Sequence, residues 1–584
     1  MPKTHAVKLS PNKKLAGVLV PVFAIRTDSD LGIGDTEGVR QMIDWCAAHG
    51  LSVLQILPIN ETSGDNSPYN AISSQALDPT TIAVSPRHIS DLSVARFNAI
   101  SRPDLLAELR RGAVNYRRVK ALKRELLWAA FESFLAKEHS KKTSRAKRFQ
   151  LFVEQNADWL RDYALFRVLM EEHGNSPSWE HWPKEHRDPQ AARQWLESLP
   201  SEGREKQNEK LLFFCYVQWI AFAQWVGLKE YGSRKQVYLM GDIPFGVGRA
   251  SADVWADRTI FDLDWSGGAP PEPSFSDDEF TRRWGQNWGI PLYRWRAMRE
   301  RNFDWWRMRV GNVHKVFHIF RIDHALGFYR IYAFPWPPEH NREFLKLTEE
   351  QVAKKIGGLL PRFFPDPDKT DKQKKTNLAQ GNELLRMVQD AAGDTMVVAE
   401  DLGLVPDYVR PHLLNLGIPG FKIPHWERNP DYTYTDPAAY PRLSICTPAT
   451  HDHDPLVAMW RRMWHEHEDA RAKQDDHRAH VTWLELQRFV WWLGYDGKNI
   501  PRDFTDEMHE CYVRRVLGSN SWLAIFMLTD IFGQETRFNV PGSVAESNWS
   551  VRLDKTIAEL DKDPGLLAKT QLVERLIKET RRHP

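Results

Sequence analysis

The sequence of 584 residues has almost no net charge, because 79 Lys and Arg residues are balanced by 77 Asp and Glu residues. This balance offers no electrostatic basis for binding nucleic acid or an anionic membrane, so a neutral partner is expected. The chain also has only four cysteines, which lie far apart and form no CxxC pair: Cys46, Cys215, Cys446 and Cys511. We therefore expect no disulfide scaffold and a reducing compartment.

Long hydrophobic runs are missing as well. No stretch of 18 consecutive apolar residues occurs, and the first residues, "MPKTHAVKLSPNKKLAG", contain no apolar segment of the kind found in signal peptides. These absences predict a soluble cytoplasmic protein without a membrane partner. Nothing in the composition indicates an oligomeric state.

Motifs for cofactors are incomplete. The glycine-rich segments "LGIGDTEG" and "GVGRAS" match neither GxGxxG nor GxxxxGK[ST], and no GxSxG is present. The segment "HDHD" (451–454) contains possible metal ligands. On a strand, however, His451 and His453 would face one side and Asp452 the other, and no third ligand follows at a useful spacing. We predict neither a cofactor nor a metal.

Eight short apolar runs, each ending in a polar or glycine-containing turn, alternate with stretches of helical periodicity. The runs cover residues 16–23, 51–59, 237–245, 316–323, 395–403, 418–423, 443–452 and 524–533. Buried strands that alternate with helices are typical of an α/β protein with a parallel sheet. Eight of them predict a (β/α)8 TIM barrel.

The spacing of the runs also suggests a domain organisation. The gap after the second run is too long for one βα unit, so residues 90–235 are predicted to form a large helical insertion. We expect an N-terminal extension (1–15), a barrel (16–550), C-terminal helices (551–584) and no separate C-terminal β domain. The polar tract "DPDKTDKQKKTNLAQGNE" (366–383) is predicted to be an exposed loop.

Acidic residues lie in the C-terminal ends of four of the predicted strands, where the chemistry of such barrels takes place: Asp242, Asp323, Glu400 and Asp452. One such carboxylate alone would favour a structural ion pair. Several together favour cleavage of a glycosidic bond, which needs one ionised carboxylate and one protonated carboxylic acid.

The neighbours of these acids suggest a division of roles. Arg321 lies two residues before Asp323, on the same strand face, and would keep Asp323 ionised. Glu400 follows the apolar segment "MVVA", and burial there would raise its pKa, as an acid at neutral pH requires. We predict Asp323 as the nucleophile and Glu400 as the general acid/base.

An ordered series of motifs now points to a family. In sequence order these are "LGIGD", "SPYN", "GDIPFGVGRASADVWA", "GAPPEPSFS", "WGQNWGIPLYRW", "FRIDHALGF", "VAEDLG", "TPATHDHD" and "RFNVPGS…NW". Over residues 16 to 550 the chain resembles the 4-α-glucanotransferase family (amylomaltase or disproportionating enzyme), a branch of the α-amylase superfamily of retaining barrel enzymes. The resemblance implies α-1,4-glucan donors and acceptor sugars as partners.

The resemblance also assigns residues. It implies that Asp323 is the nucleophile, Glu400 the acid/base and Asp452 a third carboxylate that holds sugar hydroxyls. It further implies that the following residues bind or surround the glucan: Ser67, Tyr69, Asp242, Asp253, Trp255, Gln286, Trp288, Arg321 and His451. For three of these a structural role is an alternative, since Asp253 could cap a helix and Trp255 or Trp288 could belong to the core.

Other functions remain open from the sequence. A glucan hydrolase would use the same carboxylates with water as the acceptor, and a non-catalytic glucan-binding protein or an unrelated metal-dependent barrel enzyme are further alternatives. The chain also departs from the common family pattern, with Ala250 in "ASADVW" and with "GFYRIYAFPW" after the "RIDH" motif. These differences concern the acceptor side or the rim of the groove and leave the carboxylates intact.

Overall fold

The computed structural model describes residues 9–62, 64–271, 278–540 and 547–583. These residues form twelve strands, β1 to β12 in chain order: Leu15–Leu19, Val53–Gln55, Tyr238–Ile243, Phe261–Ala269, Gln286–Tyr293, Ile319–Ile322, Ile331–Phe334, Arg362–Phe364, Met396–Ala399, Gly420–Lys422, Ser444–Cys446 and Leu523–Met527. The eight predicted apolar runs supply β1, β2, β3, β6, β9, β10, β11 and β12.

These eight strands form one parallel sheet in the order β10–β11–β12–β1–β2–β3–β6–β9. Its two edge strands approach each other, because the Ala399 amide at the end of β9 donates a 3.0 Å hydrogen bond to the Pro419 carbonyl beside β10. The sheet is therefore a nearly closed barrel, and the predicted fold class is confirmed.

The other four strands form an antiparallel sheet in the order β5–β4–β7–β8, which was not predicted. β4 contains two aspartates and pairs with β5 through two register shifts, so its sequence has no regular alternation of apolar and polar residues. A small hydrophobic core lies beside this sheet: Phe280, Trp284, Phe334, Trp336, Phe344 and Val352. The sheet carries Trp288 towards the mouth of the barrel.

The described helices, α1 to α22 in chain order, are Thr36–Ala48, Val94–Ile100, Pro103–Leu109, Tyr116–Phe134, Ser144–Gln155, Ala157–Glu172, Pro189–Ser198, Ser201–Lys235, Ala252–Ala256, Glu279–Trp284, Trp295–Glu300, Asp304–Val316, Asn341–Phe344, Glu349–Lys355, Asp371–Ala392, Val409–Leu416, Leu456–Ala472, Asp476–Leu493, Asp506–Gly518, Leu528–Phe532, Ile557–Leu560 and Pro564–Glu579. Helices α2 to α8 lie between β2 and β3, within the predicted insertion. The predicted domain boundaries remain a prediction.

Helix α8 is long and apolar enough to cross a membrane by composition, although 61% of its most hydrophobic segment is buried inside the protein. The buried side chains include Phe213, Phe214, Val217 and Ile220, and the helix packs against α1, α6 and α12. Core packing therefore accounts for its hydrophobicity.

The predicted exposed loop at 366–383 is wrong for most of its length, because α15 begins at Asp371. Thr370 caps the helix: its hydroxyl accepts the amide of Gln373, whose side chain accepts the Thr370 amide in return. This capping box begins a helix whose buried face includes Leu384 and Val388. The high content of lysine and glutamine hid the amphipathic pattern.

Candidate active site

Arg321 lies at the centre of the site because the register of the barrel places it beside a carboxylate. In the pairing of β3 with β6, Asp242 lies opposite Arg321, and its Oδ2 is 2.6 Å from Arg321 Nη1. The other guanidinium nitrogen, Nη2, is 2.8 Å from Asp323 Oδ1, as the two-residue spacing predicted. Arg321 and Asp242 are buried, whereas the Asp323 side chain is 30% exposed and open to a ligand.

Asp242 is held from a second side by a tyrosine. Burial raises the pKa of the Asp242 carboxyl, and the positive charge of Arg321 opposes this shift. The Tyr69 hydroxyl donates a 2.6 Å hydrogen bond to Asp242 Oδ2, and the Tyr69 ring stacks on His451 with 5.0 Å between ring centroids. Tyr69 thus connects the β3 and β6 ends of the barrel with the segment after β11.

Glu400 directly follows β9, and backbone groups orient its carboxyl. Oε2 accepts the amide of His324 at 2.9 Å, and Oε1 accepts the amide of Leu402 at 2.8 Å. Burial raises the pKa of Glu400 to about 8, with Arg321 opposing the shift and Asp323 adding to it. A carboxyl with this pKa is largely protonated at neutral pH and can donate a proton.

Asp452 lies in a turn, six residues beyond the end of β11, so the strand alternation expected for "HDHD" does not apply. Its Oδ2 is 3.3 Å from His451 Nε2, and its Oδ1 accepts a 2.6 Å hydrogen bond from Asn539 Nδ2. Burial alone would raise the pKa of Asp452, but His451 and Asn539 lower it well below its usual value. The Asp452 carboxylate is therefore ionised, in contrast to Glu400.

Three further predicted residues lie at the edge of the site. The Ser67 hydroxyl accepts the Tyr69 amide at 3.3 Å and so supports the loop that carries Tyr69. Trp288 is partly exposed, lies 4.7 Å from the His324 ring, and donates from Nε1 to Gln286 Oε1 at 3.0 Å. Trp288 is thus available at the rim next to Asp323.

Two predicted sugar-binding residues make contacts within the protein. Trp255 is 0% exposed, donates from Nε1 to the His186 carbonyl and packs on Phe166, so it cannot touch a ligand. Both carboxylate oxygens of Asp253 accept hydrogen bonds within the protein, from the amide and hydroxyl of Ser74 and from Trp305 Nε1. The contacts of Asp253 with Ser74 anchor the loop that contains Tyr69. The prediction of direct binding is corrected for Trp255, whose side chain is fully buried, and it stays a prediction for Asp253.

Sequence reasoning did not assign a role to several residues that complete the site. Arg537 Nη2 donates to the Asp452 carbonyl at 2.5 Å, Asn539 holds its carboxylate, and the Trp549 ring lies 5.8 Å from those of Tyr69 and His451. All three belong to the motif "RFNVPGS…NW", so the signal was present. Residues 541–546 of that motif and 272–276 of "GAPPEPSFS" lie outside the described residues.

The family of this barrel follows from comparison with known proteins. A family model described as 4-alpha-glucanotransferase matches residues 20–557. The chain belongs to the 4-α-glucanotransferase family. Its activity is 4-α-glucanotransferase (amylomaltase) activity on α-1,4-glucans, and the resemblance drawn from the motifs is confirmed.

Individual relatives match nearly the whole chain. A 4-alpha-glucanotransferase of Chlamydia pneumoniae is 29% identical, with 96% of this chain and 95% of the relative covered. A 4-alpha-glucanotransferase of Thermus thermophilus is also 29% identical, with 89% of this chain and 91% of the relative covered. The structure of amylomaltase from Streptococcus agalactiae in complex with acarbose superposes with a TM-score of 0.72 at 23% identity, covering 98% of this chain and 100% of that chain. This last likeness supports the fold.

Arg321 is expected to be essential for stability in this 4-α-glucanotransferase. Replacing it with methionine would leave Asp242 buried without its positive partner, which costs about 3–5 kcal/mol of unfolding free energy. Denaturant unfolding would measure this loss. As a control, Arg299→Met removes an exposed ion pair with Glu383 and should change stability by less than about 1 kcal/mol. Equal effects of the two substitutions would contradict a buried charge network.

Proposed function

We propose that the chain transfers α-1,4-glucan segments by a retaining double displacement, with Asp323 as nucleophile and Glu400 as general acid/base. One observation carries this assignment: two carboxyls that directly follow the neighbouring strands β6 and β9 have opposite surroundings. Asp323 is paired with Arg321 and open to a ligand, whereas Glu400 is buried with a pKa of about 8. The amide of His324, the residue after Asp323, donates to Glu400 and couples the two positions.

In the first step, an Asp323 oxygen forms a bond to C1 of the donor sugar while the bond from C1 to the leaving oxygen breaks. Glu400 gives its proton to that oxygen, which leaves as a free 4-hydroxyl. In the second step, Glu400 takes the proton of an acceptor 4-hydroxyl, whose oxygen attacks C1 and releases Asp323. Two inversions at C1 give overall retention.

The remaining polar groups would bind the sugar at the reacting centre. Asp452 is ionised and can accept hydrogen bonds from two sugar hydroxyls. Tyr69, His451 and Arg321 surround the same space, and the Trp288 ring at the rim offers a face on which a sugar can stack.

We further propose maltodextrin, starch or glycogen chains as donors and glucans or glucose as acceptors. The acarbose bound to the Streptococcus agalactiae amylomaltase is consistent with an oligosaccharide site in this fold. A cytoplasmic location is also proposed, supported by four free cysteines: Cys46, Cys215, Cys446 and Cys511.

Incubation with pure maltotriose tests the proposed reaction. Transfer should release glucose together with glucans longer than maltotriose, because each donor segment moves to another chain. Separation of the products by size measures this outcome, and a chelating agent should leave it unchanged. If only glucose and maltose accumulate, water is the acceptor and the enzyme is a hydrolase.

A further inference from the structure

A short hairpin leads away from the proposed sugar site. Residues 427–435 form it, with the Thr435 amide donating to the Glu427 carbonyl at 3.0 Å and a β-bridge between Arg428 and Tyr434. The residue just before the hairpin is Trp426, which is 45% exposed and lies 4.7 Å from the ring of His453. Since His453 follows Asp452, the base of the hairpin is continuous with the site.

The tip of this hairpin presents a tyrosine to solvent. Tyr432 is 69% exposed and has a φ of 65°, a left-handed conformation that costs a bulky residue about 1–2 kcal/mol. Glycine or asparagine would normally occupy such a position. Its conformation is held by hydrogen bonds from the Tyr432 amide to the Asn429 carbonyl and from the Asn429 amide to the Thr433 carbonyl. An exposed aromatic ring kept at a strained position indicates a function.

Helix α18 fixes the hairpin in place. The Arg428 guanidinium lies 3.6 Å from the centroid of the Tyr434 ring and forms a 2.8 Å ion pair with Glu485 on α18. Arg488, one turn further along the helix, pairs with the same glutamate at 2.5 Å and lies 5.9 Å from the Tyr432 ring. The tip of the hairpin is therefore positioned by charged contacts, and its ring stays open to solvent.

A second exposed ring follows on the same helix. Trp491 lies three residues after Arg488, which places it on the same side of α18, and it is 50% exposed. Its Nε1 donates a 2.9 Å hydrogen bond to the Asp496 carbonyl, which fixes the orientation of the indole. A ring held in this way loses little conformational entropy when a ligand packs against it.

The exposed aromatic side chains of the described residues are unevenly distributed. Among the described residues, four large aromatic side chains are exposed to solvent: Trp288, Trp426, Tyr432 and Trp491. Trp288 and Trp426 flank the catalytic carboxylates through His324 and His453. Tyr432 lies at the tip of the hairpin that follows Trp426, and Trp491 lies on α18 three residues after Arg488, whose guanidinium is 5.9 Å from the Tyr432 ring. Most other aromatic rings in the described part of the chain belong to the core.

We propose that Trp426, Tyr432 and Trp491 form a glucan-stacking surface, which holds the part of a long α-1,4-glucan that extends beyond the catalytic subsites. Sugar rings offer C–H faces to aromatic rings, and the guanidinium groups of Arg428 and Arg488 offer donors to sugar hydroxyls. The ion pairs with Glu485 offset part of the positive charge of the two arginines and so limit the net charge that a neutral ligand meets. This inference rests on the proposed function, since it assumes that glucan chains occupy the site.

The surface is tested by comparing substrates of different length. Tyr432→Ala and Trp491→Ala should each raise the KM for long amylose about threefold to tenfold, which corresponds to the loss of one aromatic contact. With maltotriose as the substrate, both kcat and KM should stay unchanged. Val481→Ala removes an exposed apolar side chain from the same helix and serves as the matched control, with no change for either substrate. Thermal unfolding would verify that all variants fold equally well.

The possible outcomes separate the two proposals. If the wild-type enzyme does not redistribute maltotriose, the proposed function fails, whatever the variants do. If it does so and both variants keep the wild-type ratio of the KM for amylose to that for maltotriose, the stacking surface is refuted. A change in oligomeric state on gel filtration with an unchanged ratio would likewise overturn it, because the rings would then serve contacts between copies of this chain.

Discussion

Asp323→Asn is expected to lower kcat for maltotriose redistribution by a factor on the order of 10⁴ or more, as loss of a covalent nucleophile does in other enzymes. The amide keeps the shape of the side chain but cannot form the ester bond to C1. Arg321 retains its ion pair with the buried Asp242, so the variant should fold normally. The loss should therefore appear in kcat while the unfolding midpoint stays close to that of the wild type.

The matched control for this experiment is Asp394→Asn. Asp394 is exposed and lies two residues before the start of β9, at the opposite end of the barrel from Glu400, so this variant should retain full activity. Mass spectrometry of the quenched wild-type enzyme with a slow donor should find a glycosyl adduct on Asp323. An Asp323→Asn variant with more than about a tenth of wild-type kcat would exclude this residue as the nucleophile.

The barrel could be predicted because its strands are buried on both faces. Runs such as "VYLMGDI" are almost continuously apolar and end in polar residues, so both the strand and its catalytic end are visible in the sequence. β4 gave no such signal, since its central residues are partly exposed and its pairing with β5 is irregular. The antiparallel sheet was missed for that reason.

Contacts within the site could be predicted when both residues belong to one strand, and less well when they join segments that are distant in the sequence. The contact of Arg321 with Asp323 follows from a spacing of two residues along β6. In contrast, the Asp452 carboxylate, whose pKa is lowered first by the adjacent His451, also accepts a hydrogen bond from Asn539, which lies 87 positions further along the chain. Trp255 illustrates the opposite error: it belongs to a motif near the site, but its side chain turns into the core.

Glu400→Gln is expected to lower kcat/KM for maltotriose by about 10²–10⁴, the usual contribution of a general acid. The loss should be much smaller for an α-maltosyl fluoride donor, because fluoride leaves without needing a proton from a carboxylic acid. Comparing the two donors separates the loss of proton donation from distortion of the site. A similar loss for both would argue against Glu400 as the acid.

Glu400→Gln is also expected to lower the stability of the fold. Both oxygens of Glu400 accept backbone amides, from His324 and Leu402, and the glutamine amide group would face one of these donors. Some loss of stability is expected from that mismatch, on the order of 1–3 kcal/mol. Denaturant unfolding measures this effect, and a retained kcat/KM for the fluoride donor, which reports the first displacement, would demonstrate that the site still forms.

The pH dependence gives an independent test of the same role. Burial disfavours the charged form of Glu400 and raises its pKa to about 8, so the proton needed for the first step is present below this pH and lost above it. The value of kcat/KM for maltotriose, which reports ionisations of the free enzyme, should fall as the pH rises through about 8. The residual kcat/KM of Glu400→Gln for maltotriose should lack this decline, because the glutamine amide does not ionise in this pH range. If the decline persists in that variant, another group controls it; Asp530, buried with a pKa of about 7, would be the first to replace.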